Sequence, residues 1–215
     1  MKAFNFFNGR FCCIGIYYIF LLLSPYSLFS QSSVIEKEFG KIENIRHVTD
    51  FKVVFIYDSM RVGGYGSEEM FISKKVSEYN EKKAGSGDKW LEDWINARIN
   101  FYEPEFIEAI SQNLKRNKIT FGTNSGSKHT LIVRTKYIEP GFNTVLPGAI
   151  ASLDAYSHFQ FDFIENYEPG RLLLSLYVQN VRGRFPGIDI DPFSRIAESY
   201  SKAGNLLGSY LSPYF

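Results

Sequence analysis

Ala149-Ile150-Ala151-Ser152-Leu153-Asp154-Ala155-Tyr156-Ser157-His158-Phe159-Gln160-Phe161-Asp162-Phe163-Ile164 is the stretch on which the fold depends. Ala149, Ala151, Leu153, Ala155, Phe159, Phe161 and Phe163 fall on one side of a two-residue repeat, and Asp154, Tyr156, His158, Gln160 and Asp162 on the other. A β-strand points successive side chains to opposite faces, so this pattern is a strand with one face in a core. It is longer than a usual strand, which predicts a bulge or bend near Ser157.

Flanking segments extend the sheet. Thr130 to Tyr137 and Leu172 to Val181 are rich in β-branched and aromatic residues, as is Phe51 to Tyr57, which Asp58-Ser59 ends. Glu139-Pro140-Gly141-Phe142-Asn143 turns the chain. Helical spacing fills the rest. Ser67 caps a helix running to about Lys83, with Ile72, Val76 and Tyr79 on its apolar face and Glu68 and Glu69 at its positive end. Ala84 to Gly87 is a break, and Asp88 caps a second helix with a stripe of Trp90, Leu91, Trp94, Ile95, Ile99 and Tyr102. Pro104 suits the first turn of a third helix, with Phe106, Ile107, Ile110 and Leu114 facing inward. Asp191-Pro192 opens the last helix, where Phe193, Ile196, Tyr200, Ala203, Leu207 and Leu211 recur at steps of three and four. Gly204 and Gly208 there predict close packing on a sheet. The order is β-ααα-β-β-β-α. It predicts an α/β fold with a mixed four-stranded sheet and helices packed on it. The first two strands pair in parallel across a helical crossover, and the last three form an antiparallel meander.

This domain is expected over residues 50–211, after a polar lead-in at 31–49 and a signal peptide at 1–30. Lys2 and Arg10 precede the apolar run Phe11 to Leu23, followed by Ser24-Pro25 and a small-residue exit at Ser30. Thirteen apolar residues are short of the ~20 that span a bilayer. Extension through Phe29 approaches that length, so a retained N-terminal membrane anchor is the alternative. Cys12 and Cys13 open the apolar run, whereas a lipoprotein cysteine closes it. Cleavage leaves about 185 residues and no cysteine, which excludes disulfides, thiol nucleophiles and cysteine metal sites. Without Lys2 and Arg10 the chain carries 22 basic and 23 acidic residues, no excess for a nucleic-acid partner.

Three stretches, Leu131 to Asn143, Leu176 to Gly183 and Ser194 to Gly204, carry a resemblance to uncharacterised exported proteins of Bacteroidota-type bacteria, covering most of 50–211. The element order is more remotely similar to the amino-terminal domain of TolB and to CsgG-like and transporter-auxiliary lipoprotein domains. That likeness implies an envelope protein of the periplasm or outer-membrane periphery and transfers no site.

Candidate chemistry is sparse. Gly63-Gly64-Tyr65-Gly66 sits between a strand and a helix, as a phosphate loop does, but Glu69 stands where a third glycine belongs and no Gly-Lys-Ser/Thr follows. The polar side of the long strand places Asp154, Tyr156, His158, Gln160 and Asp162 together as a partner-binding face. As a catalytic pair, Asp154 and Asp162 are each four residues from His158, ~13 Å along a strand. His47, His129 and His158 lack partners at metal spacing, so no metal and no cofactor is expected. Asp189-Ile190-Asp191 lacks the repeated acids of a calcium loop. The expected function is a non-enzymatic envelope module that binds an envelope protein or membrane complex. The alternatives are a periplasmic hydrolase around Asp154, His158 and Asp162, and a small-ligand binder that uses an exposed Trp90 or Trp94.

Overall fold

The computed structural model describes residues 33–123, 126–146, 149–167, 170–184 and 192–215, with the side chains of 143–152 outside that set. The expected signal peptide and Asp191 lie outside the described residues. Among the described residues the strands are β1 (Ile35–Gly40), β2 (Asp50–Ile56), β3 (Arg61–Val62), β4 (Thr120–Gly122), β5 (His129–Glu139), β6 (Phe142–Leu146), β7 (Ala149–Leu153), β8 (Ala155–Glu165) and β9 (Arg171–Gly183). The helices are α1 (Glu68–Lys82), α2 (Ser86–Ala97), α3 (Glu103–Leu114) and α4 (Phe193–Leu211).

The sheet is mixed but has seven strands, not four. Its order is β1-β9-β8-β5-β2-β4 with β3 extending β2 alongside β5, and β6-β7 is a separate two-stranded ribbon. The expected pairings hold: β2 is parallel to β5, and β5, β8 and β9 are successively antiparallel. The extra strands come from segments that carry weak patterns. β1 arises inside the polar lead-in, because an edge strand needs a partner on only one side and tolerates the charges of Glu36, Lys37 and Glu38. β3 and β4 are two and three residues long.

The long alternating stretch is two strands. β7 belongs to the ribbon, Asp154 is the hinge, and β8 joins the main sheet. Alternation within β8 is as expected: Ala155, Phe159, Phe161 and Phe163 are fully buried. The irregularity expected near Ser157 sits in its neighbours. Lys136 is an extra residue in β5, between Thr135 opposite Phe159 and Tyr137 opposite His158. In β9, Gln179 and Asn180 face the single residue His158, and Asn180 takes a φ of 57° to do so.

The helices pack on the face that carries Phe159, Phe161 and Phe163. Phe106 of α3 lies 5.7 Å from Phe161, and Tyr200 of α4 lies 4.7 Å from Phe159, ring centre to ring centre. Each such ring stabilises the fold by about 2 kcal/mol through burial. Two hydroxyl pairs stitch α4 to the sheet, Thr135 with Tyr200 at 2.6 Å and Ser157 with Ser199 at 2.7 Å. Gly183 allows the close approach, since a Cβ there would sit 1.8 Å from the Arg195 carbonyl oxygen. Gly204 and Gly208, expected to face a sheet, face α3 instead. A Cβ on Gly204 would meet the Phe106 carbonyl oxygen at 2.5 Å, and one on Gly208 would meet Asn113 Cβ at 2.5 Å.

Ser67 caps α1 as expected, its Oγ accepting from Met70 N at 3.3 Å. Asp88 does not cap α2; Gly85 does, with a φ of 80°, and Asp88 lies in the first turn. The second and third helices join through a π turn at Arg98–Tyr102, where Glu103 N donates to the Arg98 carbonyl. Pro104 has no N–H for the carbonyl four residues back, and the widened turn accommodates it. The buried stripe is therefore Trp90, Trp94, Ala97, Tyr102 and Phe106, with a step of five at the π turn. Ile95 and Ile99, expected inside, are 40% and 68% exposed because they fall beside this stripe.

Candidate functional site

β5, β8 and β9 carry the expected site residues on the face opposite the helices. Cross-strand neighbours in an antiparallel pair share a face, so Ile132, Arg134, Tyr137 and Glu139 line up with Asp162, Gln160, His158 and Tyr156. Tyr177 and Ser175 of β9 join them opposite Gln160 and Asp162, and Arg182 opposite Tyr156. The parallel partner β2 adds Lys52, Val54 and Ile56. No described helix packs over this face.

The five expected residues separate into three groups. Asp154, just before β8, is paired with Arg182 of β9, both Nε and Nη2 reaching Oδ2. Tyr156 lies next to that pair, half-buried. His158 stands between aromatic rings, 4.9 Å from Tyr137 and 6.4 Å from Tyr177. Its Nε2 lies 3.2 Å from Asn180 Oδ1, which can only accept, so Nε2 carries the proton and Nδ1 accepts from the Tyr177 hydroxyl at 3.3 Å. Burial pushes the His158 imidazole below its ordinary pKa, and the charge of Arg61 acts in the same direction while the Asn180 bond opposes it. Arg61 lies 5.8 Å over the Tyr137 ring, and burial raises the Tyr137 and Tyr177 phenols.

Gln160 and Asp162 form the third group. Asp162 Oδ1 accepts from Ser175 Oγ at 2.7 Å and Gln160 Nε2 at 3.1 Å, and its Oδ2 lies 3.6 Å from Arg134 Nε. Asp162 is 7% exposed, so this part of the face is a closed polar network and not a solvated surface. Asp154, His158 and Asp162 thus each bind separate partners. Among the described residues no group of three His, Cys, Asp or Glu side chains is placed to hold a metal ion.

The bulge at Lys136 is what sequence alternation misses. It shifts the phase of β5, so Tyr137 shares a face with Arg134 three positions earlier. Asn180 is hidden for the same reason in β9. Arg134 and Ser175 sit at positions that plain alternation does assign to this face.

Trp90 and Trp94 are buried, as core packing at helical spacing requires. Trp94 is 1% exposed and donates through Nε1 to Glu68 Oε1 at 2.6 Å, the carboxylate that also pairs with Arg98. Trp90 lines a second feature, a crevice of about 270 Å³. Gly63, Gly64 and Tyr65 form one wall, α1 contributes Phe71, Lys75 and Tyr79, and Glu139 to Phe142 and Arg195 close the other side. The Gly63 cluster is therefore a short turn that walls a cavity.

No family model and no curated protein matches this chain. Solved structures similar to it in part include two of PelC. One is a point variant of the PelC dodecamer from Paraburkholderia phytofirmans, with 12% identity, a TM-score of 0.38, and 83% of this chain and 96% of that chain covered. The other is the PelC dodecamer from the same organism in another crystal form, with 11% identity, a TM-score of 0.37 and the same coverage.

Proposed function

We propose that this protein is an exported cell-envelope component that acts by binding, and that it docks a protein partner on the helix-free face of its sheet. The observation that carries this reading is the asymmetry of the sheet. One face is covered by helices, with α3 and α4 packed directly on it, while the other presents tyrosines, paired charges and half-buried aliphatic residues with no described helix over them. Val54, Ile56, Ile132 and Ile164 supply apolar area, Tyr137, Tyr156 and Tyr177 supply amphipathic rings, and Arg61, Arg134 and Arg182 stand among them. Tyrosine and arginine around an apolar centre is the composition of protein interfaces. The paired state of Asp154, His158 and Asp162 favours recognition over hydrolysis, because each group is already committed to a neighbour. Export rests on the charged, apolar and small-residue order of positions 1–30.

Site-specific photo-cross-linking in the native host tests the reading. A cross-linker at Lys52, exposed on the open face, should give a discrete protein adduct in the envelope fraction, and one at Lys74 on α1 should not. The adduct should carry a mature N-terminus at Gln31 by mass spectrometry. Adducts from Lys74 alone, or a protein confined to the cytosol, would refute it.

A further inference from the structure

An amphipathic helix turns its large apolar residues to the core, and α2 does so with Trp90 and Trp94 but not with Ile95 and Ile99. One exposed isoleucine is ordinary, but a row of them calls for a partner. Residues three or four apart share a helical face, so Asp88, Glu92, Ile95 and Ile99 form one row along the outside of α2, each of them exposed. The π turn at Arg98–Tyr102 takes up one residue before α3 begins. Ile107, eight positions after Ile99, therefore stands two turns further along the same row. Both isoleucines line a hollow of about 630 Å³ together with Glu103, Pro104 and Glu108. Ile99 is 68% exposed and Ile107 is half-buried. From Ile95 to Ile107 the apolar part of the row is about 17 Å long, or about three turns.

Carboxylates bracket this stretch, Asp88 and Glu92 before Ile95, Glu103 and Glu108 around Ile107. Two of them have neutral partners: Glu103 Oε1 accepts from the Tyr57 hydroxyl at 3.3 Å, and Glu108 Oε1 accepts from Gln112 Nε2 at 2.8 Å. None of the four is in an ion pair with a described residue. Arg98, the cation of the π turn, points inward, where it pairs with Glu68 and lies 4.3 Å over the Tyr57 ring. On the exposed side of α2 and α3 the one cation is Lys89, against Asp88, Glu92, Asp93, Glu105 and Glu108. A cation brought to either end of the row thus meets carboxylates that no lysine or arginine of the described chain neutralises, and it breaks no existing pair. The same carboxylates repel the anionic headgroups of a bilayer, which makes the row a poor seat for a lipid surface.

We propose that the outer face of α2 and α3 docks a cationic amphipathic helix of a partner protein, its apolar stripe on Ile95, Ile99 and Ile107 and its lysines or arginines at the two acidic ends. Such a helix presents anchors at steps of three and four, the spacing that the three isoleucines themselves follow once the π turn is counted. The site does not use the open sheet face and stands whether or not that face has a partner.

Fluorescence anisotropy of a labelled synthetic helix titrated with the purified full chain tests the proposal. The probe spans about five turns, with leucines along one face and paired lysines at each end. It should bind saturably with a Kd of about 100 µM or tighter. Glutamates in place of its lysines should weaken binding at least about tenfold. Ile99→Gln and Glu92→Gln should each weaken the lysine probe by about threefold to tenfold without lowering Tm, since both side chains are exposed. Lys52→Gln on the open sheet face should leave its affinity unchanged. Absence of saturable binding up to about 1 mM, equal binding of the lysine and glutamate probes, or full binding by Ile99→Gln would overturn the proposal. Association of the chain with itself, or with vesicles of phosphatidylcholine and phosphatidylglycerol, that Ile99→Gln abolishes would assign the face to a different occupant and overturn it equally.

Discussion

His158 shows how a single side chain can be tied to solution conditions. Burial and the nearby Arg61 charge hold its pKa below the ordinary histidine value, so the folded state prefers the neutral ring. The resulting stability is complete above about pH 6.5, where the unfolded chain is neutral too, and is lost as pH falls through the folded value. Melting curves between about pH 7.5 and 5 should show Tm falling on acidification, and His158→Gln should flatten that slope. A residual slope is expected from His129, whose pKa burial also lowers. Which residues occupy this face was largely readable from alternation in β8. Their partners were not, because Tyr137 and Asn180 reach His158 through bulges that break the two-residue count.

The helices and strands were legible wherever a side-chain pattern repeats, and hidden where the backbone departs from its standard geometry. The step from Ala97 to Tyr102 is five residues, so a stripe extrapolated at 3.6 assigns Ile95 and Ile99 inward and overlooks Ala97. Glycine spacing in α4 announced close packing but not which neighbour it serves. Gly204→Ala should destabilise the fold by about 1–3 kcal/mol in urea unfolding, because overpacking against the Phe106 carbonyl exceeds the helix-propensity gain. Gly122→Ala on β4 should change stability by less than about 0.5 kcal/mol, since a Cβ there meets nothing within 4 Å.

At the scale of the molecule, the sheet ends in two guarded edges. β4 is three residues long, and β1 carries Glu36, Lys37 and Glu38 with an extra residue breaking its ladder. Both are devices that discourage a further strand from adding. The apolar strand β9, with Leu173, Leu174, Leu176 and Val178 buried, lies just inside β1. Removing residues up to Gly40 should turn β9 into an edge, and size-exclusion chromatography should then show concentration-dependent association absent from the full chain. The charges that make β1 a good guard also disguised it as a polar lead-in, which is why a four-stranded sheet was expected where seven strands exist. The π turn has a different consequence, an evolutionary one. α2 and α3 form one continuous rod carrying one residue more than a regular helix needs. Losing the codon for Asn100 would return the rod to a regular helical count with Pro104 inside a standard turn, where its ring meets the carbonyl four residues back, so the extra residue and the proline are expected to be kept or lost together.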